Sequence, residues 1–189
     1  EPEYVDKYEL TADNDWEHTF TNLPLYINGV PVAYQILETA VYGTIDGKEK
    51  DIKHLFDVDT VVDGDTTTIT NTYDVTPVEV RFPVKKVMSV PEGATGPNWS
   101  YGITVEAQDG APAAAEMTGT VTKAAPVTTF GPFEYDVPGT YTYKVTETGT
   151  YPNVTNDSEA TSGKTVTVTV TDNGDGTLTS TADSTTESP

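Results

Sequence analysis

Strict alternation of apolar and polar side chains runs through much of this chain, and helical spacing nowhere persists. Residues 164–171 read Lys-Thr-Val-Thr-Val-Thr-Val-Thr. A period of two places every valine of that run on one face of a strand. The following Asp172-Asn-Gly-Asp-Gly176 supplies a turn, and Thr177-Leu-Thr-Ser-Thr begins a return strand. The same alternation predicts strands over 32–39, 67–73, 78–86 and 141–148. The predicted class is all-β, with at most a short helical turn.

Part of the pattern occurs twice. Phe20-Thr-Asn-Leu-Pro24 and Phe130-Gly-Pro-Phe133 each precede a turn containing glycine, at Gly29 and Gly139. Each then leads into an alternating run, Val32-Ala-Tyr-Gln-Ile-Leu-Glu38 and Tyr141-Thr-Tyr-Lys-Val-Thr-Glu147. Two homologous modules in tandem are expected, 1–76 and 77–189. The joint falls near Asp74-Val-Thr-Pro77, where Pro77 has no N–H to give a ladder.

Composition narrows the function classes. The chain carries 30 acidic and 10 basic residues, a formal net charge of -20. Binding to nucleic acid or to an anionic membrane would require the opposite balance. There is no cysteine, hence no disulfide, thiolate metal site or cysteine nucleophile. Two histidines, His18 and His54, are too few for most zinc sites. They also complete no Ser-His-Asp order. No cofactor and no metal are expected. No run of eighteen apolar residues is present to span a membrane. The chain starts at Glu1, without a Met or a leader, and is expected to be part of a longer or processed polypeptide.

One constellation carries chemistry. Alternation puts Phe82, Val84 and Lys86 on one strand face, and Tyr143, Val145 and Glu147 on another. Val32, Tyr34, Ile36 and Glu38 repeat the stripe, and Ile69 shares a face with Asn71. An ionisable group on an inward face is costly unless it is paired or neutralised. Two outcomes fit this spacing. In one, Lys86 lies at a strand end and reaches water while Glu147 caps a turn. In the other, the two meet in a dry interior, where burial favours the neutral amine and the neutral acid. A neutral amine is a nucleophile, and a protonated carboxyl can polarise an amide carbonyl. Beside an asparagine, that pair would form a Lys–Asn isopeptide bond once per molecule and release ammonia. Lys85 points the other way by alternation.

Two stretches resemble known families. Leu10-Thr-Ala-Asp-Asn-Asp-Trp16 through Phe20-Thr-Asn-Leu-Pro24, with Val32–Glu38 and Ile69-Thr-Asn-Thr-Tyr73, is similar to the later part of a Cna B-type domain. Phe82-Pro-Val-Lys-Lys86, Phe130–Phe133, Pro138-Gly-Thr-Tyr-Thr-Tyr-Lys-Val-Thr-Glu147 and the Asp-Asn-Gly-Asp-Gly hairpin resemble the streptococcal pilin isopeptide-linkage domain. The resemblance implies two tandem immunoglobulin-like β-sandwich modules from a Gram-positive surface adhesin or pilus. In such domains a first-strand lysine joins a last-strand asparagine, assisted by a glutamate on a strand between them. Carried over by position, Lys86 is the nucleophile and Glu147 the promoting acid of the second module. Glu38 is the acid and Asn71 the acceptor of the first. Two departures stand out. Lys7 lies in a stretch unlike the family's first strand, and no matching asparagine closes the second module. Asn153, Asn156 and Asn173 lie in turn-like contexts. Neither bond is therefore expected to be complete within these residues; three explanations stand, a fragment of a longer protein, disordered or trimmed ends, or strands donated by another chain.

The resemblance implies an extracellular, cell-wall-anchored stalk, its partners being neighbouring domains or pilin subunits, and no enzymatic turnover. A ligand-binding adhesin recognising a host protein or glycan is the alternative, with the irregular stretch 99–123 as a displayed insertion. A carbohydrate-binding module is a third possibility on fold grounds. The Asp172–Gly176 run lacks the later bidentate glutamate of a calcium loop and is expected to be a plain hairpin turn. Trp16 is expected in the core and Trp99 at the surface.

Overall fold

The computed structural model describes residues 6–45 and 47–184. It is all-β, with one helix of five residues. Two compact units divide the chain, residues 1–39 and 40–189.

The first unit is held by local contacts. Thr11 caps a short 3-10 turn at Ala12–Asn14, and the Asn14 side chain accepts from the Thr11 N–H at 2.9 Å. His18 stacks on Tyr8 with ring centroids 3.5 Å apart and meets Phe20 edge-on. Strands β1 (Tyr26–Ile27) and β2 (Val30–Pro31) form a hairpin around Asn28-Gly29. Both turn residues have positive φ, 51° and 80°, the conformation that an Asn-Gly hairpin turn needs. None of this unit's described residues is buried.

Residues 32–39 are not a strand, contrary to the expectation from their alternation. No ladder pairs them among the described residues. A strand exists by exchanging hydrogen bonds with a neighbour, and alternation alone provides none. Tyr34 and Ile36 are accordingly exposed, at 40% and 39%.

The second unit opens with two hairpins. β3 (Tyr42–Ile45) pairs with β4 (Lys48–Asp51), and β5 (Phe56–Asp63) pairs with β6 (Thr66–Tyr73). A 3-10 turn at Lys53–Leu55 links them and buries Leu55.

Seven further strands build a two-layer sandwich. β7 (Val78–Lys85) and β10 (Val127–Tyr135) form one antiparallel pair. β8 (Ser100–Ala107), β9 (Thr118–Thr122), β11 (Gly139–Thr148), β12 (Lys164–Asp172) and β13 (Leu178–Ala182) form the other sheet, in the order β13-β12-β11-β8-β9. Helix α1 (Ser158–Ser162) stands before β12, with Asp157 accepting from the Glu159 N–H at its start. Alternation decides which side chains face the other layer. Phe82 and Val80 point inward from β7, and Tyr143, Val145, Val166, Val168 and Val170 point inward from the large sheet. Phe82 stacks on Phe133 with centroids 5.1 Å apart, and the Tyr143 ring lies 4.6 Å from Phe133.

Phe130 and Phe133 are an odd number of residues apart, so a regular strand would bury only one of them. Both are buried, because the register shifts between them. Gly131 absorbs the shift at φ 111°, where an added Cβ would lie 2.5 Å from the Val80 carbonyl oxygen. Only glycine satisfies both conditions.

Two expectations about the tryptophans are reversed. Trp16 is 66% exposed, and Trp99 is 7% exposed against Tyr101. Trp99 immediately precedes β8, whose inward residues continue its apolar face. Trp16 belongs to a unit in which no described residue is buried. Residues 99–123 are not a displayed insertion either, since β8 and β9 make up most of them as an antiparallel pair. The irregular part is the connection over 108–117.

Candidate functional site

The two sheets bring Lys86 and Glu147 together. Lys86 follows the last residue of β7, and its backbone N–H is held by the Pro126 carbonyl at 2.8 Å. Its side chain continues the inward stripe of Val80, Phe82 and Val84, while Lys85 is exposed. Glu147 sits near the end of β11, opposite Ile103 of β8. It is buried in the sandwich interior, 7% exposed.

The Lys86 Nζ lies 2.8 Å from Glu147 Oε2 and 3.0 Å from Oε1. Side-chain exposures are 11% and 5%. A buried ion pair loses hydration on both partners, and the loss is offset only by close geometry. Both carboxylate oxygens within hydrogen-bond range of one amine meet that condition.

Tyr101 forms the floor of the site. The Lys86 Nζ stands 4.7 Å from the centre of its ring, a cation–π distance. Tyr101 is 1% exposed, and its hydroxyl donates to Asn156 Oδ1 at 3.3 Å. Asn156 in turn donates to the Gly149 carbonyl at 2.7 Å, which ties the loop after β11 over the ring. Sequence reasoning did not single out Tyr101. The alternation Tyr101-Gly-Ile103-Thr-Val105 marks it as inward-facing, but nothing in it says that Lys86 lies above.

A second polar network is buried further along the same interior. The Tyr135 and Tyr143 hydroxyls are 2.7 Å apart, and Tyr143 donates to the Pro112 carbonyl at 2.9 Å. Burial raises both phenol pKa values above the ordinary range, so these groups stay neutral as donors.

The other sequence-derived candidates lie elsewhere. Asn71 is on β6 opposite Val58 and is exposed. Glu38 is in the first unit, half-buried. Asn153 has φ 62° in the loop after β11, and Asn173 bonds Thr177 and Thr179 inside the β12–β13 turn. Asp175 is held below the usual carboxylate range by the Thr177 hydroxyl and N–H. The Asn173 and Asp175 side chains thus bond the turn and the start of its return strand, as in a hairpin. Among the described residues no cluster of His, Asp or Glu is arranged to hold a metal, and no helix is long and apolar enough to cross a membrane.

The polypeptide after β12 approaches the site in a definite direction. Thr177 bridges Thr76 in parallel, and Ser184 Oγ donates to the Pro83 carbonyl at 2.5 Å. Both contacts join residues 101 apart. Residues 177–184 therefore run in the same direction as 76–83, toward Lys86.

A family model described as the Spy0128-like isopeptide containing domain matches residues 82–189, more than half of the chain. A second, described as the Cna protein B-type domain, matches residues 1–72. No curated protein and no solved structure gives a significant match.

Proposed function

This chain belongs to the family of the Spy0128-like isopeptide containing domain, and we propose that Lys86, Glu147 and an asparagine carboxamide form a covalent tie across its sandwich. The chain is a structural module of an extracellular Gram-positive surface pilin, and such modules are not enzymes. The observation that carries the proposal is the buried Lys86–Glu147 pair at 2.8 Å.

The chemistry balances within the three groups. The Lys86 ammonium passes one proton to the Glu147 carboxylate, leaving a neutral amine beside a neutral acid. The amine attacks the carboxamide carbon while the acid hydrogen-bonds to its oxygen. The new N–C bond forms, the old C–NH2 bond breaks, and the amide nitrogen leaves as ammonia. One proton from the attacking amine completes that ammonia, and the Glu147 acid then gives it a further one, so that ammonium departs and Glu147 returns to the carboxylate. Placement of the groups in one dry pocket replaces a slow bimolecular reaction by an intramolecular one. Tyr101 keeps the amine on the acid's side and excludes water from beneath.

The direction of residues 177–184 supports delivery of the carboxamide by polypeptide extending that path, rather than by an unrelated chain. A tie between the first strand and such a final strand would carry a pull between the two ends. Without it, the pull would be borne by hydrogen bonds that fail by peeling. With the tie in place, the module serves in a wall-anchored shaft whose partners are neighbouring pilin subunits.

The test is intact mass and peptide mapping of the longest natural polypeptide that contains these residues. The expected product is lighter by one ammonia per bond, with Lys86 recovered in a branched peptide. Glu147→Ala restores the uncrosslinked mass. Recovery of Lys86 in an ordinary linear peptide from the folded parent overturns the proposal.

A further inference from the structure

Residues 73–81 fall between the two family matches. They join β6 to β7, and they are tied on both sides. The Tyr73 hydroxyl donates to Asp172 Oδ1 at 3.2 Å and accepts the Gly176 N–H at 3.0 Å. The Thr76 N–H donates to the Gly176 carbonyl at 2.9 Å, and Thr76 bridges Thr177. The Asp74 N–H donates to the Leu55 carbonyl at 2.9 Å. Leu55 is buried, and its Cδ2 would stand 3.2 Å from a Cβ added at Gly176. Gly176 itself has φ 81°. The position therefore needs glycine for its backbone conformation and for the approach of Leu55.

The joint is also stiff in its own covalent chemistry. Pro77 locks its own φ and confines Thr76 to extended conformations. Val75 and Val78, on either side, pack against the sandwich core. The turn that receives the joint is set independently, because Asp172 Oδ1 also accepts the Gly174 N–H at 2.8 Å.

We infer that residues 73–77 are a rigid coupling between the β5–β6 hairpin and the sandwich, keyed by the Tyr73 hydroxyl into the Asp172–Gly176 turn. A linker of four residues without these ties would let the hairpin swing. With them, the β6 end, the 3-10 turn at Leu55 and the β12–β13 turn move as one body. A pull arriving along β6 then enters β7 at a fixed angle. The coupling uses no isopeptide chemistry, so it stands or falls apart from the proposed covalent tie.

The test is solution NMR on the whole chain. Residual dipolar couplings of residues 42–72 and 78–182 are expected to fit a single alignment tensor. Tyr73→Phe, which removes only the hydroxyl, is expected to speed amide exchange at Gly176 about tenfold, the loss of one hydrogen bond. Val168 and Val170 are expected to keep their protection. Gly176→Ala attacks the same contact from the other side and is expected to split the tensor. Two independent tensors in the wild type overturn the inference, whatever the variants do. So does an unchanged Gly176 exchange rate in a folded Tyr73→Phe protein.

Discussion

Two segments of this chain carry nearly the same stripe and have opposite fates. Val32, Tyr34, Ile36 and Glu38 alternate as Tyr141, Tyr143, Val145 and Glu147 do. The second run is β11, paired with β8 on one side and β12 on the other, with the β7–β10 pair across the core. Its Tyr143 is 0% exposed. The first run has no ladder among the described residues, and its Tyr34 and Ile36 lie in the open. Alternation permits a strand, but neighbours on both edges and a facing layer make one. Glu147 is buried against an amine, and its burial depends on the sheet around it.

The largest effect that would sharpen the contrast is in the core. Phe82→Ala is expected to destabilise the chain by about 3–5 kcal/mol, because a fully buried ring leaves a cavity among Phe130, Phe133 and Tyr143. Ile36→Ala is expected to change stability by no more than about 0.5 kcal/mol, as at an exposed position. Urea denaturation of the two variants measures both. Equal losses would erase the distinction between the stripes.

Glu147→Ala is expected to cost about 3 kcal/mol in the uncrosslinked chain, since it strands the Lys86 ammonium in the interior. Lys86→Met with Glu147→Leu is expected to recover most of that loss, because the penalty belongs to the unpaired charge. A double-mutant cycle by the same denaturation reads it. Gly131→Ala is expected to cost about 1–3 kcal/mol through its positive φ and the close Val80 carbonyl. The two buried phenylalanines should then lose their common face, which near-ultraviolet circular dichroism would register.

The smallest effect concerns acid. Asp157 is held below the ordinary carboxylate range by Lys164, whose Nζ is 3.0 Å away, and by the Glu159 N–H. A depressed folded pKa stabilises above the unfolded value, and the contribution disappears as pH falls through the folded one. Amide exchange in α1 is therefore expected to quicken below about pH 4, while β12 is unaffected. A helix end equally protected well below that range would remove Asp157 as its cap.

Much of the sandwich was legible in the chain. The valine–threonine run of β12, the hairpin turn after it and the inward stripe of β7 need only a period of two and a turn to be read. The meeting of Lys86 and Glu147 was legible as one of two outcomes, since spacing placed both on inward faces. The family resemblance favours the pairing, and in the structure the two groups are in contact. Tyr101 beneath the amine, the Asn156 tether and the keyed Tyr73 were not legible. Each depends on contacts between residues far apart in sequence, and no local pattern records them. Trp16 and Trp99 reverse their expected burial for the same reason. A large aromatic is buried where a layer exists to receive it, and its flanking residues do not say whether one does.

By itself, the sequence determined what each segment is able to be: all-β, acidic, free of thiols, with charges ending apolar stripes. Side-chain period and backbone preference are local properties, so they survive being read in one dimension. Only the tertiary structure decided which stripes became strands, which acid met an amine and where the chain after β12 was heading. Those outcomes depend on pairing between distant segments, and hydrogen bonds and burial are satisfied by neighbours in space.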